Sequence, residues 1–365
     1  MFLGTNIFLG IDISKANFDA VLLDTAQAKP RHKVFPNTQA GFERLQEWIN
    51  GQNVVNGQEW QDKQALHACL EATGTYGNAL AQFLYERGQT VSVVNPARIK
   101  AFAQTQMARA KTDKADATLI ARFCALHRPE AWKPPAPEAS ELQAWVRRLE
   151  SLREMRQMEK NRLQAGLVAS VEVSLQEHLA YLDAEIAKTE QRIKDHISQT
   201  PNLKRQRDLL VSIPGIADTT AAALLAEIVD VSAFAGSRQV AAFAGLVPRI
   251  RHSGSSVRGR ACLSKVGSPR LRKALFYPAM VALRFNPVLM ALQVRLLAAG
   301  KNKKLIVGAA MRKLLQIAFG VLKSGRPFDA TIAMALAAKA WTWADRPLGR
   351  RRRCSCRLRR RSRSR

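Results

Sequence analysis

Apolar and polar residues in the first third of the chain follow the spacing of strands and helices. Strand patterns cover Ile7–Ile13, Phe18–Leu23, Lys33–Pro36, Ala65–Glu71 and Thr90–Asn95. Helical patterns cover Gly41–Ile49, Tyr76–Arg87 and Asp113–Leu126. Adjacent strands at the start, followed by strand–helix–strand units, predict a mixed α/β sheet that carries helices. We expect this domain to span residues 1–127.

The chain changes character after residue 127. Residues 128–139 contain four prolines and predict a linker, because proline interrupts regular structure. From Ser140 to about residue 200, apolar residues recur every three or four positions, with a break near Gly166. Ser140 and Gln143 match a capping box at the start of a long helix. The pattern predicts a coiled-coil hairpin or oligomerisation arm; the alternative is a helical pair packed on its own domain.

Residues 204–340 predict a mostly helical C-terminal domain. Near its start, a tight turn over Ile213–Ile216 joins an apolar helix to a second helix that begins near Asp218. This pattern is typical of a helix-hairpin-helix, in which Gly215 and the following helix N-terminus offer backbone N–H groups to a phosphate. A plain structural turn is the alternative. Ser268 and Pro269 predict the N-cap and first residue of a later helix.

The net charge of the chain indicates which class of molecule it binds. The 365 residues include 57 Lys and Arg against 29 Asp and Glu, a net charge of +28. Residues 346–365 hold eleven arginines and no acid, so the rest of the chain still carries +17. A body this basic indicates a polyanionic partner, and DNA is the first candidate. We expect the arginine-rich tail, residues 345–365, to be disordered until it meets a polyanion.

The cysteines and the apolar segments indicate a compartment. The five cysteines are scattered without a metal-binding or disulfide pattern, and Cys69 and Cys124 lie on apolar segments typical of buried thiols. Apolar runs of membrane-spanning length are interrupted by charges such as Glu227, Asp230 and Lys339. We therefore expect a protein of a reducing cytoplasm that does not span a membrane.

Four acidic residues stand at positions that suggest chemistry. Asp12 lies within the first apolar strand, where a carboxylate must be paired, protonated or metal-bound. Glu71 ends a second apolar strand, and Asp113 and Asp116 share one face of a helix. Such a set suits a two-Mg²⁺ phosphodiester site, in which Mn²⁺ can replace Mg²⁺. The alternative is a structural acceptor in the strand and solvated acids on the helix.

Residues 243–272 combine serine, glycine and cationic side chains. A segment of this kind is flexible enough to approach a nucleic-acid backbone and charged enough to hold it. Its serines Ser253, Ser255, Ser256 and Ser264 could donate hydrogen bonds to phosphate, cap helices or act as a nucleophile. The candidate nucleic-acid contacts of the whole chain are Lys111, Gly215, Arg249, Arg251, Arg258, Arg260, Lys265 and Arg272.

The ordered set of motifs resembles a known family. Beside the four acids, the chain contains IPGIADTTAAALLAEI, AAFAGLVPR, SGSSVRGR and SKVGSPRLRKAL in this order. Together they resemble the DEDD transposases of the Piv/MooV invertase type, which are insertion-sequence recombinases. The resemblance covers roughly residues 6–330 and leaves the arginine-rich tail outside. It implies a RuvC-like, ribonuclease-H-like N-terminal domain and a separate C-terminal transposase domain.

The resemblance also implies a mechanism and partners. It assigns the divalent metal to the four acids and a covalent DNA-linked serine to the C-terminal domain. By its place after the AGLVPR segment and before a glycine, that serine corresponds to Ser253. The resemblance further implies a structured guide RNA encoded beside the gene. It also implies homodimers or homotetramers in which the acids of one subunit meet the serine of another.

The sequence therefore predicts a site-specific DNA recombinase that forms a phosphoserine intermediate. One alternative is a RuvC-like junction nuclease that activates water and needs no serine. Another, from a different class, is a non-catalytic nucleic-acid-binding scaffold with structural acids. A covalent protein–DNA adduct would exclude the first alternative, and metal-dependent strand cleavage would exclude the second.

Overall fold

A computed structural model describes residues 7–24, 29–51, 66–72, 74, 76–106, 112–166, 168–249, 252–253, 257–258 and 262–332. For residues 252, 253, 257 and 258 the description covers the backbone alone. The chain divides into two compact units, residues 1–134 and 135–365, and each is described by itself. The division falls inside the predicted proline-rich linker. The tail, residues 345–365, lies outside the described residues.

The first unit is built on a five-stranded mixed sheet. Its elements are β1 Ile7–Ile13, β2 Asn17–Asp24, β3 Arg31–Pro36, α1 Gln39–Gly51, β4 Leu66–Glu71, α2 Asn78–Glu86, β5 Thr90–Val94, α3 Pro96–Thr105 and α4 Asp113–His127. The strand order is β3-β2-β1-β4-β5. The first three strands are antiparallel, whereas β1, β4 and β5 are parallel. This confirms the mixed α/β sheet expected from the sequence.

The two faces of this sheet carry different helices. Ile11 and Leu70 point into a core that includes residues of α1 and α2, whereas Phe8 and Cys69 point into a core that includes residues of α3 and α4. Because side chains alternate along a strand, Gly10 and Asp12 lie on the same face as Phe8, beneath α4. The position of α4 therefore decides what lies near Asp12.

Gly10 lets α4 approach β1 closely. A Cβ atom at this position would lie 2.2 Å from the Ala117 carbonyl oxygen and 2.3 Å from the Ala121 nitrogen. Ala117 and Ala121 are fully buried, and together with Val21 of β2 they form a small apolar cluster. Small residues on both sides of this contact hold the helix directly against the strand.

We expect Gly10→Ala to destabilise the first unit by about 1–3 kcal/mol, because overpacking must push α4 away from β1. Urea unfolding followed by circular dichroism measures the change. Gly51→Ala, at the end of α1, is the matched control, since a Cβ there meets nothing within 4 Å. Equal stability of the two variants would contradict the close approach of α4.

Helix α3 is absent from the sequence prediction. Asn95 caps it, its side chain accepting a hydrogen bond from the Ala97 N–H at 2.8 Å, and Pro96 takes the first position. Ile99 and Phe102 are buried at helical spacing. The Asn-Pro signal was present in the sequence but stands directly at the end of β5, where it is easily taken for a strand end.

Half of the predicted linker belongs to the first unit. The Trp132 N–H donates to the Val91 carbonyl at 2.7 Å, and the Trp132 ring packs against the core beside α1 and α2. The buried Ser92 hydroxyl donates to the carbonyls of Pro129 and Glu130. These contacts fix an irregular segment against β5 up to residue 134.

The second unit is mostly helical. Its helices are α5 Pro137–Gln164, α6 Ala169–Gln199, α7 Pro201–Val211, α8 Asp218–Glu227, α9 Ser237–Phe243, α10 Pro269–Phe285, α11 Pro287–Ala298 and α12 Lys303–Ser324. A short 3-10 turn covers Val231–Ala233, and four two-residue strands lie between α9 and α10: β6 Pro248–Arg249, β7 His252–Ser253, β8 Val257–Arg258 and β9 Cys262–Leu263. The break near Gly166 and the N-cap at Ser268 are confirmed.

Two expectations for the start of α5 need correction. Helix α5 begins at Pro137 with Ala136 as its N-cap, so Ser140 does not cap it. Proline at the first helical position starts the helix one turn earlier. Gln143 does not complete a capping box; its side-chain N–H donates instead to the Ala226 carbonyl at 2.8 Å.

Much of the apolar series of α5 and α6 packs in the core of its own unit. Leu142, Leu152, Leu182 and Ile197 are almost fully buried in the core that also contains α8, α10 and α12 residues. This favours the alternative of a helical pair packed on its own domain for that stretch. Oligomerisation through the exposed remainder of α6, where Tyr181 is 60% exposed, stays a prediction.

Helix α12 is long and apolar enough to cross a membrane by length and composition, as is the bent pair of α10 and α11. Half of the apolar window of α12 is buried, with Ile306, Leu314 and Leu315 among the core residues. A core helix of a folded domain has these properties, and its apolar character needs no lipid to explain it.

Candidate active site

The parallel pairing of β1 and β4 places two of the four acids at one edge of the sheet. Ile11 is in register with Leu70, so Asp12 and Glu71, each the next residue along, end up side by side. Both are partly buried. The carboxyl ends of adjacent parallel strands thus supply the first half of the candidate site.

Helix α4 supplies the second half. Thr112 caps it, its hydroxyl accepting from the Ala115 N–H at 3.2 Å, so that Asp113 and Asp116 fall in the first turn. Asp113 lies one turn before Ala117, the residue held against Gly10. The close packing at Gly10 therefore brings this first turn towards Asp12, two residues farther along β1.

The four acids interact electrostatically with one another. The pKa of Asp12 is raised to about 6, first by burial and then by neighbouring carboxylates, in decreasing order Asp116, Asp113, Glu71 and Asp19. The pKa of Glu71 is also raised, first by burial and then by Asp116. The structure thus brings together all four predicted acids, hereafter the acidic cluster: Asp12, Glu71, Asp113 and Asp116.

This gives a pH prediction for the metal-free protein. Because the folded state holds the Asp12 proton more tightly than the unfolded state, stability should fall as pH rises from about 4 to about 6. Asp12→Asn cannot ionise and should lack this part of the decline. Melting temperatures of the two proteins in metal-free buffer between pH 4 and pH 8 check it. If melting temperature changes with pH in the same way for both proteins, the prediction is contradicted, because Asp12 then has the same pKa in the native and unfolded states.

Three of these acids, Asp12, Glu71 and Asp116, line an open groove of about 990 Å³ in the first unit. Its walls come from α3 and from the first half of α4, and they carry the exposed cations Lys100, Lys114 and Arg122. The sequence analysis missed these three, since α3 was not recognised and single cations on α4 gave no separate signal. Acids at the floor and cations on the walls form a groove suited to a phosphodiester backbone.

The chemistry of the cluster fits a divalent cation. All four side chains offer hard carboxylate oxygens, the donors that Mg²⁺ and Mn²⁺ prefer, and their mutual repulsion raises the proton affinity of Asp12. Within the described residues, no three His, Cys, Asp or Glu side chains already stand in a closed metal-binding group. The acids are neighbours whose repulsion a cation would relieve.

The predicted serine lies on a small double hairpin in the second unit, hereafter the serine hairpin (residues 248–263). Its base is formed by β6 and β9, with Arg249 opposite Cys262. Its upper pair is β7 and β8, with Ser253 opposite Val257 and His252 opposite Arg258. Ser253 is therefore the last residue of β7. Ser255 and Ser256 lie outside the described residues.

The segments that flank the serine hairpin, at Gly245 and Gly267, are held together by close packing and by the Arg272 side chain. Gly245 and Gly267 have φ values of +67° and +134°, and a Cβ at Gly267 would lie 2.2 Å from the Phe243 carbonyl oxygen. Arg272 donates from Nη1 to the carbonyls of Ala244, Gly267 and Ser268 at 2.9, 3.1 and 3.3 Å. Arg272 thus has a structural role that the sequence analysis missed; its contact with nucleic acid stays a prediction.

The other predicted contacts divide into two groups. Gly215 is required by packing: its φ is +104°, and a Cβ there would lie 2.6 Å from the Ala282 Cβ. The turn joins α7 to α8 as expected, and its binding of phosphate stays a prediction. Arg249 and Lys265 are exposed beside the serine hairpin. Residues 111, 251 and 260 (Lys111, Arg251 and Arg260) lie outside the described residues, and only the backbone of Arg258 is described.

Comparisons with known proteins agree with this arrangement. A family model for DEDD transposases of the IS110 group matches residues 9–171, and a model described as transposase of the IS116/IS110/IS902 family matches residues 207–293. The pilin gene-inverting protein of Moraxella bovis is 35% identical over 326 residues, which are 89% of this chain and 98% of that protein. The transposase for insertion sequence element IS1328 of Yersinia enterocolitica is 30% identical over 160 residues, 42% of this chain and 46% of that protein.

Proposed function

This chain belongs to the IS116/IS110/IS902 family of transposases, and we propose that it recombines DNA through a metal-assisted phosphoserine intermediate. Its relatives are named transposases and a gene-inverting protein, and the chain is accordingly an enzyme that cuts and rejoins DNA. The first unit, with its mixed sheet and acidic cluster, is consistent with the RuvC-like catalytic domain of such enzymes.

The observation that carries the proposal is the convergence of four interacting carboxylates, three of which line a groove with basic walls. Burying like charges together costs free energy, so their convergence needs a compensating cation or a proton. Lys100, Lys114 and Arg122 on the groove walls would hold the flanking phosphates and orient the strand. A purely structural use of the acids accounts for neither feature.

Asp12, Glu71, Asp113 and Asp116 would hold the metal. Bound there, one or two Mg²⁺ or Mn²⁺ ions supply Lewis-acid stabilisation of negative charge on a phosphate oxygen. The acids would hold the metal charge at one place in the groove. The cations of α3 and α4 would hold the DNA backbone in one register.

Ser253 would be the nucleophile. Its Oγ forms a bond to phosphorus, the bond from phosphorus to the DNA 3′ oxygen breaks, and the proton lost by serine is balanced by one gained by the leaving 3′ hydroxyl. A 3′ hydroxyl of another strand then attacks the phosphoserine, restoring a DNA phosphodiester and the free serine. The phosphodiester count is conserved, so no external energy source is needed.

Arg258, Arg260 and Lys265 would neutralise the phosphate as the serine attacks. The serine hairpin places Arg258 in the strand opposite the one that carries Ser253. The acids and the serine belong to different compact units, and the reaction requires both at one phosphate. We therefore propose that activity is confined to an assembled homodimer or homotetramer on DNA, with a structured RNA supplying the choice of target.

A strand-joining assay tests the proposal. The full chain is incubated with DNA carrying the ends of its element and with RNA transcribed from the flanking noncoding segment, in Mg²⁺ or in EDTA. Joined products in Mg²⁺ alone support a recombinase. Nicked products without joining would favour the junction nuclease, and unchanged DNA that is nevertheless bound would favour the scaffold.

A further inference from the structure

A fifth acid stands beside the acidic cluster. The β1–β2 turn is short, with the Ser14 N–H donating to the Asn17 carbonyl at 2.9 Å. Residues equally distant from this turn pair across the two strands, and the register places Asp19 directly opposite Asp12. Side chains opposite each other in antiparallel strands lie on the same face, about 5 Å apart at Cβ. Asp19 therefore faces α4, as Asp12 does.

Asp19 is held in place from the far side by the next strand. His32 of β3 donates from Nε2 to Asp19 Oδ1 at 2.6 Å, and the two side chains are only 22% and 15% exposed. Val21, the next residue of β2 on this face, packs under Ala117 and Ala121 of α4. On this face Glu71, Asp12 and Asp19 lie on three neighbouring strands, and His32, which is opposite Val21, reaches Asp19 diagonally from the fourth.

We propose that Asp19 is a positioning residue for the metal bound by the acidic cluster, and that His32 fixes Asp19 for this role. The inference rests on the proposed function. Mg²⁺ in proteins keeps several waters, and those waters need acceptors beyond the direct ligands. Asp19 offers its carboxylate on the β2 side of Asp12, where the four cluster acids supply none.

The arrangement is otherwise costly. Like charges directly opposite on neighbouring strands are destabilising, and either residue could be replaced by a neutral one without disturbing the strand pairing. The opposite face of β2 and β3 is apolar core, with Phe18, Ala20 and Phe35 buried, so a charged pair between these strands can lie only on the Asp12 face. Asp19 beside Asp12 adds a negative charge next to the acidic cluster, and a cation bound by the cluster would offset that charge.

Binding of Mn²⁺ to the metal-free full-length protein tests the proposal without relying on activity. Electron paramagnetic resonance of free Mn²⁺ gives the dissociation constant for wild type, Asp19→Asn, His32→Ala, His32→Gln and Asp12→Asn. We expect Asp19→Asn to weaken binding about 10-fold, the lower end of the effect of an outer-shell partner. His32→Ala should approach that loss, and His32→Gln, which keeps an N–H donor, should recover most of it.

Asp24→Asn is the matched control, because Asp24 lies at the other end of β2, opposite Ile7. It should bind Mn²⁺ as wild type does, and circular dichroism should show every variant folded. If Asp12→Asn weakens binding while Asp19→Asn matches Asp24→Asn, the role of Asp19 is wrong and the proposed metal site stands. If Asp12→Asn binds Mn²⁺ as tightly as wild type, the proposed metal site fails and the role of Asp19 with it.

Discussion

Alanine in place of any member of the acidic cluster should lower strand cleavage by at least about 100-fold, the loss typical of removing one preorganised stabilising group. Asp12 and Glu71 end parallel strands, and α4 brings Asp113 and Asp116 to them through the contact at Gly10. Each variant would leave a groove that still carries its basic walls. DNA binding should therefore persist while cleavage is lost.

Cleavage of end-labelled DNA in Mg²⁺, beside a filter-binding measurement, separates the two properties. Glu86→Ala is the control, an exposed acid at the end of α2 whose side chain accepts a hydrogen bond from Gln82. It should cleave as wild type does. Near-normal cleavage by Asp12→Ala would contradict the metal-site interpretation, because Asp12 is partly buried and its pKa is raised by burial and by the other three acids.

Ser253→Ala should abolish recombination, by at least about 1,000-fold, and leave DNA binding intact. A serine hydroxyl is a weak nucleophile near neutral pH, so its loss cannot be compensated by a neighbouring hydroxyl that is not aligned. Ser253 is the last residue of β7, and its backbone pairs with Val257 of β8. Recombinant joints are counted by amplification across the new junction.

The neighbouring serines serve as controls. Ser264→Ala should recombine nearly as wild type, because the backbone N–H of Ser264, not its hydroxyl, bonds the Val247 carbonyl at 2.8 Å. Ser255→Ala and Ser256→Ala complete the series. If recombination survives Ser253→Ala but is lost in a neighbour, the assignment of the residue is wrong and the serine mechanism stands.

The strands and the acidic cluster were predictable because their signals are local. An acid inside or at the end of an apolar strand, and two acids at helical spacing, are visible without knowing the fold. Parallel strands then bring their carboxyl ends to one edge. Asp19 carried no such local signal: its relation to Asp12 follows only from the β1–β2 register, which a short turn at Ser14–Asn17 fixes.

Other features depend on contacts between distant segments. Arg272 looked like a phosphate contact among many cations, but its Nη1 bonds carbonyls of two separate loops. Leu182 fits an oligomerisation seam by its spacing, yet tertiary packing buries it in the core of its own unit. Ser140 lost the N-cap because Pro137 can start a helix earlier. Periodicity and capping signals in the sequence cannot decide between these alternative contacts and helix starts.

Denaturing electrophoresis of labelled DNA after reaction in Mg²⁺ tests the central claim most directly. With DNA labelled on the side that keeps the 5′ phosphate, wild type should yield a slowly migrating protein-linked band that protease treatment collapses. Ser253→Ala and Asp12→Ala should each yield no such band. If wild type instead yields only free nicked strands with no protein attached, the phosphoserine mechanism is contradicted and a water-activating nuclease takes its place.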